Sequence, residues 1–166
     1  MVVVSHSMSD SFALFGLPVQ FNLDLIEPEQ RYLATQAMVH PDLFVGRSDL
    51  EKKVAVQTST TLNEAYQRLK NTQTRAEEFL KAKNIAIPGA SGSTIPASRL
   101  LTEVLEWREQ IHEGKGLQTL HDALSQRLED CVKSFDVSSD DKLSYCYLDL
   151  VYTQKTLTEL ELVLKK

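Results

Sequence analysis

The chain has 166 residues, of which 42% are apolar, with six glycines and five prolines. That is enough for one buried core or two small ones, and too few turn-forming residues for a strand-and-turn sandwich. The formal charge of −5 argues against a nucleic-acid-binding surface, which is normally basic. No apolar run reaches the ~20 residues of a membrane helix.

Residues 1–9 carry no periodic pattern. Met1-Val2-Val3-Val4 lacks the basic flank and length of a signal peptide, so this stretch is expected to be a disordered start or an added remnant, with Met8 as an alternative first residue. Phe12-Ala13-Leu14-Phe15 followed by Gly16-Leu17-Pro18 predicts one short helical turn stopped by Gly and Pro. Asp24 and Glu27 have capping-box spacing, and Pro28 suits a first turn. Leu25, Tyr32, Leu33, Gln36 and Val39 then mark one face of a helix ending near Val39, with Arg31 directed to water.

His40-Pro41-Asp42 follows. Proline disfavours helical backbone in the residue before it, so His40 must leave the helix there. Taken alone, the tripeptide reads either as a helix stop or as a polar contact held out between two helices by a stiff ring. After the loop Leu43–Arg47, Ser48 and Glu51 form a second capping-box spacing. Leu50, Val54, Leu62, Ala65, Tyr66 and Leu69 mark a long helix to about Lys70. Asn71 is expected in the left-handed conformation that ends helices. Thr74 and Glu77 give a third capping-box spacing, opening a shorter helix through Phe79, Leu80 and Ala82. Two helices joined by so short a loop are expected to pack antiparallel.

Residues 85–97 hold Pro88, Gly89, Gly92 and Pro96 among serines and threonines and are expected to link two domains, 10–84 and 98–166. In the second, Leu100, Leu101, Val104, Leu105 and Ile111 predict a helix stopped near Gly114 and Gly116. Leu117, Leu120, Leu124, Leu128, Cys131, Val132 and Phe135 predict another. Ser138 or Ser139 caps a third, with the stripe Leu143, Tyr147, Leu150, Leu157, Leu160 and Leu164. Spacings of three and four make a narrow seam, as in a three-helix bundle. The fold class is therefore all-α. Cys131 and Cys146 show no CxxC spacing, so neither a zinc site nor a disulfide framework is expected. No GxxxxGK[ST] loop is present, so the chain itself is not expected to bind ATP; no cofactor is expected.

The order of these elements resembles a J-domain followed by a helical bundle. The strings FALFGLP from Phe12, Leu62-Asn63-Glu64-Ala65-Tyr66, Arg75-Ala76-Glu77-Glu78-Phe79-Leu80 and Leu105-Glu106-Trp107-Arg108-Glu109 resemble HscB-type co-chaperones of iron–sulfur cluster biogenesis, so the likeness runs from about Ser11 through the bundle. The resemblance implies a J-domain that stimulates the ATPase of an HscA-like heat-shock chaperone, and a bundle that binds and delivers the iron–sulfur scaffold protein IscU. It places the chaperone contact on His40, Pro41 and Asp42, with Arg31 as the only cation of the preceding helix. It places the scaffold contact on Leu101, Thr102, Leu105, Glu106, Glu109 and Tyr147. Family members often carry Lys after the tripeptide, where this chain has Leu43, and a larger apolar residue at the position of Thr102. Eukaryotic members often have an N-terminal cysteine-rich metal site; no cysteine precedes Cys131, which implies the bacterial type and the cytoplasm, or the mitochondrial matrix for a eukaryotic source.

Three other readings stand beside this one. A J-domain co-chaperone with a different client fits the first half equally. An enzyme would use His40 and Asp42 as an acid–base pair, but no nucleophile or second acid lies nearby in sequence, so no catalytic residue is expected. A plain helical adaptor predicts that Asp42→Asn changes nothing. Trp107 reads either as core or as a contact with the first half, the latter preferred.

Overall fold

The computed structural model describes residues 11–89 and 98–165. The expected start at 1–9 and most of the expected linker lie outside the described residues. All regular structure within them is helical, and none of these helices is long and apolar enough to cross a membrane. The chain divides into two compact units between Ala82 and Lys83.

In the first unit, α1 (Ser11–Leu14) ends in a turn where the Leu17 N–H donates to the Phe12 carbonyl at 2.9 Å. Gly16 turns the chain with φ +61°, and a Cβ there would stand 3.1 Å from Arg31 Nη1. α2 (Ile26–Val39) opens with the Ile26 N–H donating to Asp24 Oδ1 at 3.1 Å. The expected reciprocal bond from Glu27 is not made. Glu27 instead pairs with Arg31, one turn on, at 2.6 Å, the favoured i, i+4 arrangement.

A 3₁₀ turn (Pro41–Phe44) leads to α3 (Asp49–Lys70). Here the expected capping box forms in full, with Ser48 Oγ accepting from the Glu51 N–H and Glu51 accepting from the Ser48 N–H. Asn71 is extended (φ −82°, ψ 130°) rather than left-handed. It alone separates α3 from α4 (Thr72–Ala82). Its side-chain oxygen accepts from the Thr74 N–H at 3.1 Å, so Asn71 performs the capping that the sequence assigned to Thr74.

The core of this unit sits at one end of the α2–α3 hairpin. Phe12, Phe21, Leu62, Leu69, Phe79 and Leu80 are essentially inaccessible. Phe21 meets Phe79 edge-on at 6.2 Å, and Tyr32 stacks on Tyr66 at 4.4 Å. α1 and α4 both pack on α3 at this end. Toward the tripeptide α2 and α3 have only each other and the short 3₁₀ turn, and so thin a layer leaves much of its apolar face wet. Leu50 and Val54, on the apolar face expected of α3, are accordingly exposed, and Leu25 and Leu33 on the expected face of α2 are exposed as well.

The second unit is a three-helix bundle of α5 (Ser98–Glu113), α6 (Leu117–Ser134) and α7 (Asp140–Leu164). The expected stop at Gly114 and Gly116 is realised; Gly116, at φ +60°, lets Gln110 Nε2 donate to the Lys115 carbonyl at 3.2 Å. α7 packs along both other helices, which barely touch each other. Leu100, Leu124, Phe135, Leu143, Leu150 and Leu160 fill the interior. Thr153 and Thr156 are buried on α7 as well, whereas Leu164, expected in the stripe, is exposed. Arg127 of α6 joins all three helices. Its Nε donates to Asp149 Oδ1 at 2.7 Å, its Nη2 lies 2.8 Å from Glu103 Oε2, and its plane covers the Trp107 ring at 5.0 Å. Trp107 also packs on the Leu120–Leu124–Leu160 cluster, so it serves the bundle interior, the other of the two roles open to it.

Candidate functional site: the tripeptide turn and the α5 face

His40 leaves the helix as its proline neighbour requires, with φ −61° and ψ 130°. The turn closes on itself. The Leu43 N–H donates to the His40 carbonyl at 3.0 Å, and the Asp42 N–H donates to His40 Nδ1 at 3.3 Å. Because Nδ1 accepts that bond, the neutral imidazole carries its proton on Nε2. His40 thus braces the turn with one nitrogen and offers a donor with the other. The Asp42 carboxylate lies 3.5 Å from Nδ1 yet is 86% exposed. A bare carboxylate on a braced turn is suited to accept a charge-assisted bond from an incoming cation.

Arg31, the expected cationic partner of this surface, is occupied within the domain. Its Nη1 donates to the Phe15 and Gly16 carbonyls at 2.9 and 2.8 Å, and its Nη2 holds Glu27. The guanidinium fastens the α1 turn to α2 instead of projecting from the hairpin. α2 has no other cation.

On α5, Leu100 and Val104 point inward, which turns the next residues outward at 100° per residue. Leu101 is 37% exposed and Leu105 66%. Thr102, Glu106 and Glu109 are exposed around them, and the Thr102 hydroxyl donates back to the Ser98 carbonyl at 3.1 Å. Five of the six residues expected to bind a scaffold therefore share one accessible face. Tyr147 does not join them. It is 6% exposed because its stretch of α7 is covered by the other helices.

Two cavities accompany these surfaces. One, of about 500 Å³, is an open groove on the bundle lined by Trp107, Leu120, Arg127, Cys131 and Asp149 among others. Burial, with the Asp149 carboxylate nearby, pushes the Cys131 thiol up to about 12, which leaves it protonated and unreactive. The other, of about 290 Å³, adjoins the tripeptide turn and is walled by Val39, Phe44, Leu50, Val54 and Ala55. Periodicity had put Leu50 and Val54 on one face of a helix; the signal that was available is the apolar residues directly flanking the tripeptide, Met38-Val39 and Leu43-Phe44-Val45. Among the described residues no cluster of three His, Cys, Asp or Glu side chains is placed to hold a metal.

A family profile described as "HSCB C-terminal oligomerisation domain" matches residues 97–160. The co-chaperone protein HscB homolog of Paraburkholderia phymatum is 40% identical over 125 residues, covering 75% of this chain and 70% of that protein. The chain belongs to the HscB co-chaperone family. The HscB homolog of Burkholderia thailandensis is 33% identical over 165 residues, covering 93% and 94% of the two chains. Among solved structures, chaperone HscB from Vibrio cholerae superposes with a TM-score of 0.77 at 26% identity, over 94% of this chain and 98% of that one. Human co-chaperone HscB shares the fold at TM-score 0.75 and 23% identity, over 93% and 82% of the chains. The hairpin unit is thus the J-domain of an HscB-type protein and the bundle its C-terminal domain.

Proposed function

We propose that this HscB-type chain docks its His40-Pro41-Asp42 turn on an HscA-like heat-shock chaperone, raises that partner's ATPase rate, and delivers an IscU-like iron–sulfur scaffold carried on the α5 face. It works in the cytoplasm and catalyses no reaction of its own. The observation that carries this reading is the Asp42 carboxylate, bare to solvent on a turn that His40 Nδ1 holds in shape. Asp42 accepts a bond from a partner arginine, His40 Nε2 donates a second, and the fixed φ of Pro41 reduces the freedom lost on docking. Binding that prefers the hydrolysis-competent form of the partner shifts its population toward that form. Leu101 and Leu105, ringed by Glu106, Glu109 and Thr102, have the apolar centre and polar rim of a protein-binding patch.

The test is the steady-state ATPase of the HscA-like chaperone with scaffold present. The parent chain is expected to stimulate it severalfold. Asp42→Asn, which keeps shape and loses charge, and His40→Gln are each expected to remove the stimulation while leaving the thermal midpoint unchanged. Equal stimulation by Asp42→Asn and the parent would overturn the assignment.

A further inference from the structure

The cavity beside the turn points to how this chain completes its grip on the chaperone. Phe44, one of its walls, belongs to the same 3₁₀ turn as Asp42. A partner group seated on the Asp42 carboxylate therefore lies next to the opening. Leu50 and Val54 line the cavity and are nevertheless 72% and 57% exposed. Met38 and Leu43, flanking the tripeptide, are 67% and 61% exposed. Isolated exposed aliphatics are ordinary, but exposed aliphatics that line a concavity mark an interaction site.

The lining also states what fits. The polar groups at the cavity are already satisfied by their own helix. The Thr58 hydroxyl donates to the Val54 carbonyl at 2.8 Å, and the Glu51 carboxylate holds the Ser48 N–H and hydroxyl at 2.9 and 2.7 Å. Among the lining's polar atoms that leaves the second Glu51 carboxylate oxygen, and the rest of the lining is apolar apart from Thr58. At about 290 Å³, the cavity is at or below the lower end of the ~300–1,000 Å³ typical of small-molecule sites, a size for aliphatic side chains. Nor does charge do the holding on the α2 side, since its one cation, Arg31, is bound to two carbonyls and Glu27.

We propose that the cavity receives an aliphatic segment of the same chaperone that Asp42 contacts, so that affinity in this chain comes chiefly from apolar burial at Leu50 and Val54 while the tripeptide supplies the switch. This rests on the function proposed above and deepens it.

The two roles separate in a titration of chaperone ATPase. In the Leu50→Ala/Val54→Ala double variant, whose altered residues are already solvent-exposed, the concentration for half-maximal stimulation is expected to rise about tenfold, with the maximal rate retained. Asp42→Asn is expected to lose the maximal rate at every concentration. Raising salt from about 50 to about 500 mM, which screens exposed charges, is expected to move the parent's half-maximal concentration less than about threefold. A Leu50→Met/Val54→Ile variant, which keeps the wall apolar, is expected to behave as the parent.

If the alanine pair leaves the half-maximal concentration unchanged while Asp42→Asn abolishes stimulation, the apolar site is overturned and the co-chaperone assignment stands. A parent that stimulates nothing overturns both. If the alanine pair instead abolishes a dimer seen in sedimentation, without changing the titration, the occupant is a second copy of this chain and the proposal falls.

Discussion

The Ser11 hydroxyl donates to Glu78 Oε2 across 2.6 Å, joining residues 67 positions apart in the chain. Glu78 is 2% exposed, and a lone carboxylate in such a place is costly. Arg68 Nε at 2.7 Å and Lys81 Nζ at 3.0 Å supply the compensating charge. Burial by itself raises this carboxyl's affinity for a proton, but the bonds from Ser11, Arg68 and Lys81 more than offset it and hold it below its usual value. A lowered folded-state value gives stability that is present above the unfolded value of about 4.3 and lost as pH falls through the folded one. Glu78→Gln is expected to destabilise the J-domain by about 1–3 kcal/mol at neutral pH, and to flatten the loss of stability below about pH 4. Thermal melts of the two proteins at neutral and acid pH check this. Parallel acid dependence would show that other carboxylates govern the acid transition.

Arg31 separates anchoring from docking. Arg31→Ala deletes both carbonyl contacts of the α1 turn and the Glu27 pair, and is expected to lower stability by about 1–2 kcal/mol. Maximal ATPase stimulation is expected to be unaffected once the protein is folded. A variant that keeps its melting temperature and loses stimulation would return Arg31 to the contact surface.

The bundle offers a similar contrast between Tyr147 and Leu105. Tyr147→Ala opens a hole in the interior and is expected to cost about 3–5 kcal/mol, as aromatic deletions in cores do. Leu105→Ala, on an open surface, is expected to stay within about 0.5 kcal/mol of the parent and to weaken scaffold binding about tenfold. Calorimetry of scaffold binding, paired with melts, reads both quantities. Tight binding by Leu105→Ala would move the scaffold site off the α5 face.

Thiol labelling tests the bundle interior. Cys131 is buried and its thiol is pushed up to about 12, so native protein near pH 8 is expected to lose Cys146 to an alkylating reagent well before Cys131. Mass mapping of partially labelled protein decides it. Equal rates would mean that the α6–α7 contact opens readily.

Much of the fold was legible because local rules sufficed. Ser48 and Glu51 announced a capping box and made one. Pro41 dictated where His40 leaves its helix, and Gly114 and Gly116 marked the bend between α5 and α6. What local rules missed depends on distant coverage. Leu50 and Tyr147 occupy equally good positions in helical stripes, yet one is exposed and the other buried, because α7 is flanked by two helices while the start of α3 meets only α2 and the short 3₁₀ turn. The Asp24–Glu27 spacing failed as a box because Arg31, one turn on, was a stronger partner for Glu27. No local rule marks Glu78 for burial, which follows from α1 folding onto it.

The sealing of the hairpin at one end only has a practical corollary. Substitutions around His40, Leu43, Leu50 and Val54 touch side chains that already face water, so they leave the folded population nearly as it was. On the proposed function, a cell carrying them would hold normal amounts of a folded protein that no longer stimulates its partner. Selections that score abundance or solubility would be blind to damage at this tip, and would report instead on Phe12, Phe79 and their neighbours at the other end.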